Sequence, residues 1–308
     1  MSVLTDKINA LSDVPDAWAE KIMKFQPKLL SRLNKLAAQL TVNADGFIEM
    51  TAGNLTKIET IIGELRQFMT TGEYLTMVKE LDAQFIAQEA NTIAYFQSTF
   101  GQAPTTSFAS TLYNTQRLRM LETVIGDGLS PILYTPVRDT LLDGIASGSS
   151  YSDLIDNLNR ISIGDERLEG VLARYTRQLV SDTLGTTDRQ FTQIIGDELG
   201  LEWFRYLGGR MKTTRCFCNE RNGGYYHRKE IELWGKQMEI GKCRTDNGWQ
   251  GMFRGTNSET IFSWVGGYNC QHSLLPISDI AVPKEDIVRA ISKGYYEPDE
   301  TAKEHFGL

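Results

Sequence analysis

The chain has 308 residues, 41% hydrophobic and 23% charged, with a formal net charge of −7. That length suggests two domains of roughly 100–200 residues each, and the acidic balance excludes a general nucleic-acid coat, which needs a basic surface to meet phosphates. No stretch reaches the ~18 apolar residues of a membrane span, and the opening MSVLTDKINALSDVPDAW lacks an apolar signal core. The expected compartment is therefore a cytoplasm, where disulfides are uncommon.

Residues 1–200 read as helices. Trp18, Ile22, Leu29, Leu33, Leu36 and Leu40 recur at helical steps over 17–40, with Pro27 expected to break or kink the run. In NLTKIETIIGELRQFM, the side chains Leu55, Ile58, Ile62, Leu65 and Met69 form one apolar face. The next run carries Leu75, Val78, Leu81, Phe85, Ile93, Phe96 and Phe100, and GQAPTTS at 101–107 ends it. Helices are expected over 107–126, 130–146 and 150–160, the last capped by Ser150 or Ser152. The longest helical signal is 165–199, through Leu168, Leu172, Tyr175 and Leu179 and on to Phe191, Ile195 and Leu199; Gly185 interrupts its middle. Such stripes are the signature of bundle core.

After Gly200 the composition changes. Four of the five Trp stand at 203, 234, 249 and 264, all four Cys lie between 216 and 270, and eleven of the 27 Gly lie between 208 and 267. Strand-like runs occur at 201–208, 223–228 and 260–268, a short helix is expected over 227–238, and a last one over 283–293 opens at Pro283. The fold class expected is α+β: a predominantly α-helical N-terminal region followed by a small Gly/Trp/Cys-rich α+β module. The Trp residues are expected to fill its core.

The chemistry-bearing residues cluster in that module. Cys216, Cys218, His227, Cys243, Cys270 and His272 fall within 57 positions. Zinc takes such ligands tetrahedrally, often as two close pairs from separate loops. Cys216/Cys218 and Cys270/His272 would be those pairs, with His227 or Cys243 in reserve. Buried structural thiols are an alternative, and so are disulfides such as Cys218–Cys270 or Cys216–Cys243 formed after release from the cell. A cysteine nucleophile is disfavoured, because Cys270 and His272 on one strand would point to opposite faces. No phosphate-loop pattern occurs. Residues 201–270 carry 11 Lys and Arg against 7 Asp and Glu, whereas residues 1–200 carry 17 against 25. Arg205, Arg210, Lys212, Arg215, Arg221 and Arg244 are thus candidate contacts to DNA phosphates.

The run RYTRQLVSDTLGTTDRQFTQIIGDELGLEWFRYLGGRMKTTRCFCNERNGGYYH, followed by GGYNCQHSLLPIS, resembles the C-terminal module of the Mu F-like family of tailed-phage head morphogenesis, or minor head, proteins. Thr214, Arg215 and Cys218, with Asn222-Gly223 as the turn, stand at the first family motif; Asn269, Cys270, His272 and Pro276 stand at the closing one. The resemblance covers roughly 165–280. Gly267 stands where the family has a His, Gln271 where it has an Arg, and Asp182 is the candidate for its helical acidic residue. Cys218, Cys270 and His272 are then the matched metal candidates for a structural zinc, with His227 as substitute and Cys216 and Cys243 as alternates.

The resemblance implies a division into a helical region at 1–164 that meets portal or scaffold, the head-morphogenesis module at 165–280 and a helical tail at 281–308. It also implies a minor capsid protein of the virion, made in the cytoplasm of a bacterial host and docked inside the head near the portal. Its expected partners are the portal protein, capsid or scaffolding protein and packaged DNA, with roles in head assembly, DNA packaging and ejection. Some family members carry a toxin or ADP-ribosyltransferase domain after this module; the residues after 278 are too few for one. No enzymatic activity and no small-molecule substrate are expected. The competing reading is a metal-dependent hydrolase or nuclease built on the Cys/His cluster.

Overall fold

A computed structural model of the chain describes residues 3–103, 107–164, 169–209 and 212–308. The protein is α+β, with a helical N-terminal region and small antiparallel sheets near the C-terminus. The helices are α1 (Val3–Ala37), α2 (Ala52–Met69), α3 (Gly72–Phe100), α4 (Ser107–Val124), α5 (Thr135–Ser147), α6 (Tyr151–Ser162) and α7 (Val171–Glu198). Beyond Gly200 come β1 (Trp203–Leu207), α8 (Cys216–Arg221), β2 (Tyr225–His227), α9 (Arg228–Gly235), β3 (Arg244–Thr245), β4 (Gly248–Trp249), α10 (Ile261–Trp264), β5 (Ser273–Ile277), α11 (Lys284–Ser292) and α12 (Glu300–Phe306). Among the described residues, no helix is long and apolar enough to cross a membrane.

Local chemistry explains most of these boundaries. Thr51 caps α2 by accepting from the Asn54 N–H, and Ser150 caps α6 by accepting from that of Asp153. Pro27 does not end its helix: α1 holds both Pro15 and Pro27. The buried stripe of Trp18, Ile22, Phe25, Leu29, Leu33 and Leu36 runs through the second proline, and its packing outweighs the ~3 kcal/mol an internal proline costs. The expected helix over 130–146 starts instead with a π-helical turn at Ser130–Tyr134 before α5. The strand expected over 260–268 is absent. Ile261, Phe262 and Val265 are all buried, a helical rather than alternating spacing, and the segment forms α10 followed by turns at Gly266 and Gly267. The strand that pairs is β5, on the edge opposite β2 with β1 central, in the antiparallel order β2-β1-β5.

The chain forms two compact units that group it differently from the linear 1–164/165–280/281–308 division. One contains 14–84 and 118–180. Its helices bury an apolar core, and two polar groups anchor it: Trp18 Nε1 donates to Thr176 Oγ1 at 2.9 Å, and Tyr74 Oη to the Val124 carbonyl at 2.7 Å. The other contains 1–13, 85–117 and 181–308, so α1, α3, α4 and α7 contribute residues to both.

In this second unit the helical segments surround a buried charge. Lys7 is 1% exposed and donates to both Asp188 oxygens, at 2.6 and 2.7 Å, and to Thr92 and Thr192. Burial lowers its pKa, and Asp188 opposes that shift. The sheet packs on two clusters. Phe204, Tyr206, Phe217, Ile231, Trp234, Trp249, Ile261 and Phe262 lie in one, and Trp203, Val282, Ile287, Ala290 and Phe306 in the other. Trp203, Trp234 and Trp249 thus fill core as expected; Trp264 is half-buried against the Phe253 ring.

Candidate metal centre

Three short segments meet beside β1. The first is α8, which carries Cys218 on its inner face. The second is the turn 266–271, which carries Cys270. The third is the residue just before β5, His272. All three are buried, at 2, 6 and 4% exposure. Cys218 Sγ stands 3.8 Å from Cys270 Sγ, and Cys270 Sγ stands 3.9 Å from His272 Nδ1. One ligand atom from each lies within 4.8 Å of the others. The expectation that Cys270 and His272 point apart fails because β5 begins only at Ser273. The bend before it, with Asn269 at φ +54°, turns both side chains toward Cys218.

The glycine pair makes the approach possible. A Cβ on Gly266 would sit 2.1 Å from Cys270 Sγ and 3.0 Å from Cys218 Sγ. One on Gly267 would sit 1.8 Å from the Gly251 carbonyl oxygen, and its φ is +82°. A histidine at 267 has no room in this fold. Asp182 of α7 accepts the Asn269 N–H at 2.5 Å and holds the bend from one side. Arg215 donates to the Gly266 carbonyl at 2.9 Å and to that of Tyr268.

Sequence reasoning missed Arg189. It is 2% exposed on α7 and donates through Nε to the Ser263 carbonyl at 2.6 Å. Its Nη1 donates to the carbonyls of Cys270 and His272 at 3.1 and 3.0 Å. Three backbone acceptors that flank the cluster are thereby satisfied by one guanidinium. Gly185, one turn earlier, makes room for it: a Cβ there would meet Nη1 at 3.2 Å. The signal was the glycine itself, four residues before an arginine in a helix whose other positions pack.

Electrostatics follow the geometry. Tyr206 Oη donates to Cys218 Sγ at 3.2 Å, and its ring stacks on that of His272. Their contact perturbs the two thiols in opposite directions. Hydrogen bonding to Cys270 and burial push Cys218 up. Hydrogen bonding to Cys218 holds the Cys270 thiol well below its usual value, with His272 and Arg189 adding to this against the cost of burial. Among the described residues, His272 Nε2 has no hydrogen-bond partner. A cavity of about 200 Å³ opens onto the three side chains, lined also by Thr213, Thr214, Arg215, Asn269 and Gln271.

The remaining sequence candidates go elsewhere. Cys216 and Cys243 are joined in a disulfide, so neither serves as an alternate ligand in this state; Cys218 and Cys270, the other pairing considered, are free thiols. His227 does not join the cluster. It caps α9, accepting from the Lys229 N–H at 3.3 Å, and packs its ring on Trp203 and Tyr296, with Glu202 3.4 Å from Nε2. Burial lowers its pKa, and Glu202 opposes that shift. Arg221 is 6% exposed, lies over the rings of Phe217 and Trp234 and bonds the carbonyls of Phe217 and Ile240, so it cannot reach a phosphate. Arg205 is half-buried over Tyr225, and Arg215 is occupied as described. Lys212 and Arg244 are exposed, and Arg210 lies outside the described residues. No family description, curated protein or solved structure matches the chain.

Proposed function

We propose that the chain is a minor head protein of a tailed bacteriophage that docks inside the head near the portal and acts in head assembly and in DNA packaging and ejection. The observation that carries the reading is convergence. The residues on which the Mu F-like resemblance rests come from separate stretches of chain. Yet Asp182, Thr214, Arg215, Cys218, Asn269, Cys270 and His272 all border one cluster, joined by hydrogen bonds or by a shared cavity. A motif that is scattered in sequence and contiguous in space is a structural unit, as a docking module requires. Its partners are the portal, capsid or scaffolding protein. Packaged DNA meets the exposed Lys212 and Arg244, and binding of that kind weakens with added salt.

The test is the protein's position and copy number in intact particles, by imaging of the portal vertex and quantitative mass spectrometry. A few copies per head at the portal are expected. Protein found free in infected cells and absent from particles overturns the reading.

A second reading, a metal-dependent hydrolase or nuclease, is favoured by the cavity beside the three side chains. It is disfavoured by the lining, which among the described residues offers no carboxylate to act as general base. Cleavage of DNA by the zinc-loaded protein, abolished by Cys270→Ser, would establish it.

A further inference from the structure

We propose that Cys218, Cys270 and His272 hold a zinc ion with three protein ligands, and that its fourth position is open to water or a small anion in the adjoining cavity.

The geometry carries this. In a tetrahedral zinc site with bonds of about 2.3 Å to sulfur and about 2.05 Å to nitrogen, two sulfurs stand about 3.8 Å apart, and a sulfur and a nitrogen about 3.6 Å. The two sulfurs here are 3.8 Å apart, and the Cys270 sulfur and the His272 Nδ1 are 3.9 Å apart. A disulfide would need the sulfurs at about 2.05 Å. The donor set also balances charge: two thiolates and a neutral imidazole neutralise a dication, which a buried site demands. Zinc entry displaces the thiol protons to solvent. His272 offers Nδ1 toward the sulfurs, and its Nε2 is buried without a partner among the described residues.

Among the described residues the donor set stops at three. Cys216 and Cys243 are tied to each other, and His227 sits in a different apolar cluster. The three side chains instead line a cavity of about 200 Å³, together with Arg215 and the polar side chains of Thr213, Asn269 and Gln271. Closed structural zinc sites carry four protein ligands, whereas an open position takes a water or an exogenous ligand. A cavity with a guanidinium and amides on its wall suits a small anion or a hydroxide.

This inference stands on the cluster's own distances and does not rest on the head-protein reading; zinc-free protein that still occupies the portal vertex would sink the one and leave the other. The experiment uses the full chain, purified in reducing buffer without chelator. Elemental analysis should find one zinc per chain after dialysis. Cys270→Ser should lose it, and the double variant Cys216→Ser/Cys243→Ser should keep it. Cobalt(II) exchanged into the wild-type protein should show thiolate-to-cobalt absorption and the intense visible bands of four-coordination, and added cyanide should shift those visible bands. Absence of both zinc and cobalt binding in the reduced wild type, or a mapped Cys218–Cys270 disulfide in protein isolated with its thiols trapped, overturns the site. A cobalt spectrum indifferent to cyanide overturns the open position. Should Cys270→Ser fail to fold, the cobalt titration of the wild-type chain decides alone.

Discussion

Replacing Arg189 by Met removes a guanidinium while keeping a long apolar stem, and it tests whether one side chain on α7 holds the closing turn in place. Three hydrogen bonds are lost, to the carbonyls of Ser263, Cys270 and His272 at 2.6, 3.1 and 3.0 Å. Hydrogen bonds to a charged group contribute about 1.5–3 kcal/mol each. The three share one donor group, so their sum overstates the loss, and the arginine's own desolvation cost is recovered. About 4 kcal/mol remains, a large share of the 5–15 kcal/mol that typically holds a domain. Urea unfolding followed by tryptophan fluorescence reports on this region, because Trp203, Trp234 and Trp249 are buried in its clusters. With a slope of roughly 2 kcal/mol per molar, the midpoint should fall by about 2 M. Arg189→Lys keeps the charge but not the planar fork, and should recover less than half of the loss. A shift below about 0.5 M for Arg189→Met would refute the argument that these carbonyls depend on it.

Two glycines in helices should respond oppositely to alanine. Gly63→Ala, with open space around its Cβ, should gain up to about 1 kcal/mol of helix propensity, whereas Gly185→Ala should lose stability because the arginine it would displace is fixed at three acceptors; equal gains in thermal midpoint would contradict this. Lys7→Met leaves Asp188 buried and unpaired and should cost about 3–5 kcal/mol, while the double variant Lys7→Met/Asp188→Leu should recover most of it, measured by chemical denaturation. His227 holds its ring neutral to lower pH in the folded state than in the unfolded chain, so the unfolded chain takes up its proton first as pH falls. Its contribution is complete above the ordinary His value and is lost on acidification below it. His227→Asn, which keeps a cap for α9, should therefore flatten stability between about pH 7 and 5 relative to wild type; an unchanged pH profile would argue against a buried neutral ring. The Cys216–Cys243 disulfide closes a separation of 27 residues, and its removal by double serine substitution should cost about 3 kcal/mol in oxidising buffer and little under reductant, where the wild type loses the same constraint.

The helical half was legible because its stripes are long and its caps chemical: Ser150 or Ser152 was readable as the cap of α6, and Ser150 is the one that serves. Pro27 misled, since the local rule for proline is overridden by a stripe that buries Ile22, Phe25, Leu29 and Leu33 around it. In the closing module periodicity had less to work with. Ile261 and Phe262 looked like a strand because a four-residue turn of helix is too short to show its period. Residues 300–306 form α12 within the tail expected to be helical, although only the helix at 283–293 had been placed by its own pattern. The cluster of Cys218, Cys270 and His272 was legible from residue types alone, but its membership was not. Whether His227 or Cys243 would join depended on β2 turning one toward Trp203 and a disulfide capturing the other. Of Arg189 only the trace left by Gly185, four residues before it, was legible, because the acceptors it satisfies are backbone carbonyls, which no sequence pattern records.

The spacing of Cys216 and Cys218 has a consequence for handling oxidants. On α8 they lie two residues apart, about 200° around the helix axis, so one sulfur faces outward into its bond with Cys243 while the other faces the core. Disulfide exchange needs a thiolate to reach a disulfide sulfur. Here the nearest reduced sulfur in sequence is held on the far side of a helix from the bond it could attack. One turn of helix therefore acts as an insulator between two sulfur chemistries, letting an oxidised staple and a reduced pair coexist in one small module without trading partners.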